Sequence, residues 1–383
     1  MPDTSLAHTR VPAAVLAVAA ATFCVVTSEM LPVGLLTPVA DGLGVSDGLA
    51  GLAVTVPGLV AALAAPLLPP AARRTDRRTV LVALMVLLAA ANVLSALAPA
   101  LPVLLAARVL VGVCIGGVWA IAAGLAADLV PRERVGRSTA LIFSGIAVAS
   151  VLGVPAGTFM GELAGWRASF GAAGALALVV AGALARTLPP LPPREPVRLR
   201  ALTALLRTPA VVTGLLVISL LVTGHFAAYT YIRPVLERAD GLGASAIGAL
   251  LLVYGAAGIA GNFLGGTAAA RDPRRTLLAI TTVLAATVLL LEPTAAAPLV
   301  VVWGLAYGGV SVTMQNWMMA AAPHAREAAS ALFAGVFNAA IGTGAFLGGR
   351  AAELSGTGAP LWLGGALAAA ALLPVLATRR DPA

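Results

Sequence analysis

Residues 40–44 read Ala-Asp-Gly-Leu-Gly, and residues 239–243 read the same five again. An apolar run follows each copy, and each run ends at Arg-Arg-Thr, at 77–79 in the first case and 274–276 in the second. Two markers in the same order, displaced by nearly the same amount across a hydrophobic stretch, describe an internal duplication. The displacements, 199 and 197 residues, are too long a period for a solenoid and divide the chain into two fused halves.

Outward from the markers, composition fixes the solvent. The 383 residues are 60% hydrophobic and 10% charged, whereas a soluble domain carries roughly 25% charged residues. Mean hydropathy is +0.98. Apolar stretches long enough to span a bilayer fall near 12–40, 46–71, 79–98, 102–129, 135–162 and 166–188, then 209–236, 244–270, 276–294, 297–321, 327–352 and 358–378. Unbroken runs without period-2 alternation exclude a barrel and require helices. The expectation is an all-α integral membrane protein with twelve transmembrane helices in two pseudo-symmetric halves, 1–188 and 209–383. The stretch 189–208, with Leu-Pro-Pro-Leu-Pro-Pro at its start, reads as a cytoplasmic linker with a short surface helix over 198–207.

Orientation follows from arginine, because the chain has no lysine. Nineteen of its 24 basic residues fall on one side, in clusters such as Arg73, Arg74, Arg77 and Arg78 or Arg271, Arg274 and Arg275. The positive-inside rule makes that side cytoplasmic, placing both termini inside and the protein in the cytoplasmic (inner) membrane. The formal net charge of +8 is thus a topology signal. No soluble basic module exists to bind nucleic acid. Glu29 and the length of the first run exclude a secretory signal, and Cys24 and Cys114 lie inside spans as apolar packing residues.

Four stretches resemble the major facilitator superfamily, and within it bacterial drug:proton antiporters of the chloramphenicol- and sugar-efflux types. They are Thr27-Ser-Glu-Met-Leu-Pro-Val-Gly-Leu-Leu36 in span 1, Ala72-Arg-Arg-Thr-Asp-Arg-Arg-Thr79 between spans 2 and 3, Arg108-Val-Leu-Val-Gly112 in span 4, and Gly153-Val-Pro-Ala-Gly157 in span 5. The loop motif departs from the family pattern: Arg73 sits where aspartate is expected. The resemblance implies alternating access, a central cavity bordered by span 4, and function as a monomer.

Glu29 is the first candidate for proton coupling. An acid inside a span costs roughly 2.5–3.5 kcal/mol and is a functional site by default. Burial favours its neutral form and a nearby arginine its charged form, so access can decide its protonation. Arg108 is the expected counter-charge: at 1.5 Å per residue Glu29 lies roughly 16 Å and Arg108 roughly 9 Å from the outer ends of their spans, a difference an arginine side chain bridges. Trp119 shares the Arg108 face at helical spacing. Gly145, Gly153 and Gly157, with Pro155 bending the helix, make a smooth strip suited to a seam between halves. Arg77 or Arg78 pairing with Asp128, and Asp76 capping the next helix or facing a helix N-terminus in the other half, would latch the cytoplasmic side only when that side is closed. For the substrate cavity the candidates are Trp119, His225, Tyr229, Tyr231, Asn262, Gln315, Asn316 and Asn338. His225 and Tyr229 stand four apart on one face, and lipid offers the amides no partner.

These readings converge on secondary efflux of a small amphiphilic drug such as chloramphenicol, driven by the proton gradient without cofactor or metal; a sugar or metabolite exporter is the alternative. Neither an ATP phosphate loop nor the clustered residues of an intramembrane enzyme occur in the sequence.

Overall fold

The computed structural model describes residues 4–72, 74–192, 199–239, 242–294 and 297–378. Arg73 and the Asp-Gly of the second repeat marker lie outside that range. Among the described residues every regular element is a helix. Twelve helices are long and apolar enough to cross a membrane: spans 1 to 6 are Ala13–Gly34, Asp47–Leu68, Arg77–Ala96, Leu101–Ala122, Arg137–Ala164 and Trp166–Thr187. Spans 7 to 12 are Pro209–Tyr229, Ala244–Ala269, Pro273–Leu291, Ala297–Ala321, Ala328–Ser355 and Ala359–Ala377. Helical ladders satisfy most of their backbone internally, as lipid-embedded segments require, with exceptions at prolines. A short helix, Leu199–Leu205, stands in the linker where one is expected.

The duplication is visible in the local structure. Span 1 stops at Gly34 and the chain continues as a short helix, Leu36–Leu43; span 7 stops at Tyr229 and continues as Ile232–Ala239. Neither break is marked in the hydropathy. Gly165 and Gly356 hold φ of 84° and 89° in the turns between spans 5 and 6 and between spans 11 and 12, a backbone region glycine enters without steric cost. Glycine also sets the tightest packing in both halves. A Cβ on Gly112 would lie 2.7 Å from the Pro57 carbonyl oxygen of span 2, and one on Gly308 would overlap the Gly258 carbonyl of span 8. Spans 2 and 4, and their counterparts 8 and 10, therefore approach backbone to backbone.

The hydrogen bonds and ion pairs seen between the two halves, among the described residues, lie at the end away from the arginine clusters. There Thr37 donates to Glu237 (2.7 Å), Ser46 to Glu353 (3.0 Å) and Ser245 to Glu162 (2.9 Å), while Arg238 pairs with Asp47 (3.2 Å). Arg233, buried at 6% exposure, donates to the Gly34 carbonyl and to Glu237 (2.7 Å). Tyr231 packs over Gly51 and donates to the Ala345 carbonyl at 2.9 Å. Toward the arginine-rich end the seam parts. Leu251, Gly255 and Asn262 share one face of span 8, yet the first two are buried and Asn262 is exposed. The molecule is sealed at one end and open at the other.

That geometry corrects the latch expectation. Arg77 does pair with Asp128 (2.9 Å), and Asp76 does cap span 3 by accepting from the Arg78 (2.8 Å) and Thr79 (3.3 Å) amides. Asp76 also accepts from the Leu191 amide (2.7 Å), Arg77 donates to the Pro192 carbonyl (3.0 Å), and Arg78 donates to the Ala185 carbonyl. All of these partners belong to the first half or the start of the linker. The network persists while the arginine-rich end is open, so it braces spans 3, 4 and 6 as one body rather than closing that end.

Candidate functional site

The centre of the molecule is a polar seam in span 1. Arg108 is fully buried, which removes any snorkelling to the headgroups. Its Nε donates to the Ala53 carbonyl (2.8 Å), Nη1 to the Ser28 carbonyl (2.8 Å) and Nη2 to the Glu29 carbonyl (3.1 Å). Adjacent to this staple, Asn92 of span 3 donates to Ser28 Oγ at 2.9 Å. Spans 1 to 4 are thus tied at one depth. The expected ion pair is corrected accordingly: Arg108 grips the main chain of Glu29, not its carboxylate. Pro32 and Pro57 have no N–H to give the Ser28 and Ala53 carbonyls four residues before them, and these freed acceptors draw the guanidinium because lipid offers them nothing else.

The Glu29 side chain is left in an unusual state. It is 3% exposed, and its Oε1 has no hydrogen-bond partner. A buried polar atom without a partner is rare and calls for a functional explanation. Arg108 lies within electrostatic range of it, and so does Tyr307 from the other half.

Tyr307 belongs to a nest of aromatic rings in spans 7, 8 and 10. The His225 ring stacks on Tyr307 at 3.3 Å between centroids and on Tyr229 at 5.1 Å, while Tyr229 stacks on Tyr254 at 4.9 Å. Trp303 Nε1 donates to His225 Nδ1 at 3.0 Å. An indole can only donate, so Nδ1 is the unprotonated nitrogen and the imidazole is fixed as its Nε2–H tautomer. His225 and Tyr229 share a face as expected. Trp303 and Tyr307 were not singled out in sequence, although their i, i+4 spacing in span 10 repeats that of His225 and Tyr229 in span 7. Within the nest Tyr307 alone is only half-buried, its hydroxyl enclosed and without a partner.

Span 5 packs differently from expectation. Cβ atoms on Gly145, Gly153, Gly157 and Gly161 would strike, in turn, Ala19 and Thr22, Thr27, Leu31 and Leu35. The strip is fitted to span 1 inside the first half, and not to a seam between halves. Ahead of Pro155 the helix widens into a π turn, Ala149–Gly153, the type of bulge that accommodates a lost i→i−4 bond. The turn lies against span 1 and against span 8 of the other half.

The remaining candidates separate. Trp119 is half-buried, stacks on Phe143 at 5.9 Å and packs against the cores of both halves, which places it on the cavity wall. Asn262 faces the opening. Asn338 is buried where span 11 meets Gly58 of span 2, its amide returned to the Ala334 carbonyl at 2.8 Å. Gln315 donates to Ser330 at 2.8 Å and joins spans 10 and 11; Asn316 beside it is half-buried. Tyr231 belongs to the far-end seal and not to the cavity, because the break after Tyr229 turns it onto Gly51. Phe23, Phe333 and Phe337 add apolar surface to the central wall. An apolar cleft of ≈ 370 Å³ between spans 2 and 3, lined by Leu68, Thr75 and Leu87 among others, is away from these groups. Among the described residues no group of three or more His, Cys, Asp or Glu side chains could hold a metal ion.

Comparison with known proteins agrees with this architecture. The family model described as Major Facilitator Superfamily matches residues 18–345. The purine ribonucleoside efflux pump NepI of Escherichia coli O6:K15:H31 (strain 536 / UPEC) is 34% identical over 359 residues, 92% of this chain and 91% of the relative. The pump of the same name from Salmonella paratyphi A (strain ATCC 9150 / SARB42) is 34% identical over 372 residues, 96% of this chain and 94% of the relative. In fold, the chain is similar to a bacterial homolog of the human lysosomal transporter Spinster in an inward-facing, unoccupied conformation. The TM-score is 0.77 at 18% identity, covering 98% of this chain and 99% of that one. The human organic anion transporter MFSD10 (TETRAN) gives a TM-score of 0.65 at 18% identity, covering 97% and 99%. With twelve spans, a duplicated half, a central polar seam and a family match over most of its length, the chain belongs to the Major Facilitator Superfamily, as a multi-pass membrane transporter related to efflux pumps.

Proposed function

We propose that this transporter exports a purine ribonucleoside in exchange for protons, with Glu29 as the proton-carrying group. The observation that carries the coupling is the buried Glu29 carboxyl, whose Oε1 has no partner although an arginine lies beside it. A carboxyl in that position takes a proton when the far end opens and releases it when the arginine-rich end opens. Substrate enters from the arginine-rich side, read as cytoplasmic, and leaves at the far end after the halves rock. The relatives' names favour the nucleoside, and a planar base on a ribose suits walls that combine aromatic faces with a few amides.

An amphiphilic drug such as chloramphenicol would use the same apolar walls, and the half-buried Phe333 and Phe337, 5.7 Å apart, favour it as the second reading. Proteoliposomes with an imposed proton gradient distinguish the two. Purified protein should drive uphill movement of labelled inosine, and Glu29→Gln should abolish the gradient-driven part. Chloramphenicol movement without inosine movement would reverse the substrate assignment. Normal gradient-driven transport by Glu29→Gln would remove Glu29 from the coupling.

A further inference from the structure

Glu29 and Tyr307 lie on opposite sides of the seam between the halves, within electrostatic range, each buried at its polar tip and each lacking a hydrogen bond. A phenol donates one hydrogen bond and an ionised carboxylate only accepts, so the two are complementary. In the present state they are not joined. We propose that Tyr307 is the positioning residue through which the second half responds to the charge on Glu29: the Tyr307 hydroxyl donates to the ionised carboxylate in the state that follows proton release. This inference rests on the reading of Glu29 as the proton-carrying group.

The surroundings of each partner fit that role. Tyr307 cannot swing freely, because its ring is clamped face to face on His225 at 3.3 Å, and His225 is fixed by Trp303 at 3.0 Å. Span 10 must therefore move as a unit to bring the hydroxyl to Glu29. On the other side, Arg108 is committed to three carbonyls and holds the span 1 backbone still at that depth. The titratable or charged groups facing Glu29 are Arg108 from span 4 and Tyr307 from span 10. Tyr229 and His225 of span 7 stand behind Tyr307, and Arg233 binds Gly34 further along the chain. The strip of span 5 meets Ala19, Thr22, Phe23, Thr27 and Leu31 of span 1 and Leu35 just after it, none of them titratable.

The proton inventory closes simply. Glu29 releases its proton to water in the open cavity, and Tyr307 keeps its own while lending it as a hydrogen bond. A protonated Glu29 has no charge for the hydroxyl to answer, so the halves part at the arginine-rich end. An ionised Glu29 draws span 10 toward span 1 and biases that end toward closure. Tyr307 thus converts a protonation event in one half into a displacement of the other.

The test reads conformation rather than substrate. With Cys24 and Cys114 replaced by alanine, spin labels at Glu133→Cys and Arg326→Cys, both exposed at the arginine-rich end, report the opening in nanodiscs. Raising pH should shorten the distance distribution in otherwise unmodified protein. Tyr307→Phe, which removes only the hydroxyl, should cut that pH-dependent shift at least fivefold and leave the open population dominant. Glu29→Gln should also lose the shift, and the double variant should behave like either single one. A wild-type shift in Tyr307→Phe, or no shift in the parent protein, would overturn the proposal. A shift that survives Glu29→Gln but not Tyr307→Phe would remove Glu29 as the sensed group. Additive losses would separate the two residues into independent roles.

Discussion

At the residue scale, Arg108 and Glu29 illustrate how far identity and depth carry an argument. Two opposite charges embedded in different spans, at depths an arginine side chain can bridge, predict proximity, and the structure brings them together. The acceptors carry a fainter mark: Pro32 and Pro57 lack an N–H and so free the Ser28 and Ala53 carbonyls that Arg108 takes up. The consequence is measurable. Arg108→Lys keeps the charge, but one ammonium cannot cover three separated carbonyls, and each buried acceptor left bare costs about 1–3 kcal/mol. The thermal midpoint in detergent should fall by about 5 °C or more, whereas Glu29→Gln should move it little. An unchanged midpoint in Arg108→Lys would mean that the carbonyl staple contributes nothing. Trp303→Phe tests the aromatic nest in the same way. It removes the donor to a buried His225 nitrogen, costs about 1–3 kcal/mol in the same melting assay, and frees the ring tautomer. Nothing in the sequence marks Trp303 and Tyr307, because singly an aromatic in an apolar span reads as packing. What distinguishes them is the ring set they join across three spans.

At the scale of elements, all twelve spans were legible from apolar runs, since lipid enforces length and continuity on every one. Their interruptions were not. Leu35 and Thr230 lie in stretches as apolar as the helices themselves, and the marks of the breaks are Pro38 and Pro234, which offer no N–H to the Gly34 and Thr230 carbonyls; Arg233 takes up the freed Gly34 carbonyl. The glycine strip of span 5 was legible as a packing surface, but its partner was not, because spacing states that a helix fits closely without stating which one. Its contacts now make a sharp contrast. Gly157→Leu would drive side-chain atoms into Leu31, and overpacking of this kind typically costs 1–3 kcal/mol, so expression and melting temperature should drop. Gly171 of span 6 faces open space. Gly171→Ala should stabilise by about 0.5–1 kcal/mol through the backbone entropy that glycine forfeits in a helix, seen as a small rise in the same melt. If both variants melt alike, the close fit of spans 1 and 5 is not what sets stability there.

At the scale of the whole molecule, alternating access requires that the far-end seal be broken in every cycle. Contacts that form at the arginine-rich end as it closes offset those that break, so each cycle needs a seal whose contacts can part separately. Its composition fits that need. Exposed ion pairs such as Arg238 with Asp47 contribute about 0.2–1 kcal/mol each, and among the described polar contacts across the seam only those of Arg233 and Tyr231 lie on buried side chains. The seal is therefore a set of small, separable contacts on two rigid bodies, one braced by Asp76, Arg77 and Asp128. Locking it should arrest transport without unfolding anything. Ser46 and Glu353 touch across the seam at 3.0 Å, and the native cysteines are buried and out of reach of polar thiol reagents. Ser46→Cys/Glu353→Cys treated with a short, cleavable bis-thiosulfonate should lose uphill transport, and reducing the linker should restore it. Full transport by the cross-linked protein would mean that the far end does not open there, and the rocking of one half against the other would have to be replaced by movement within a half.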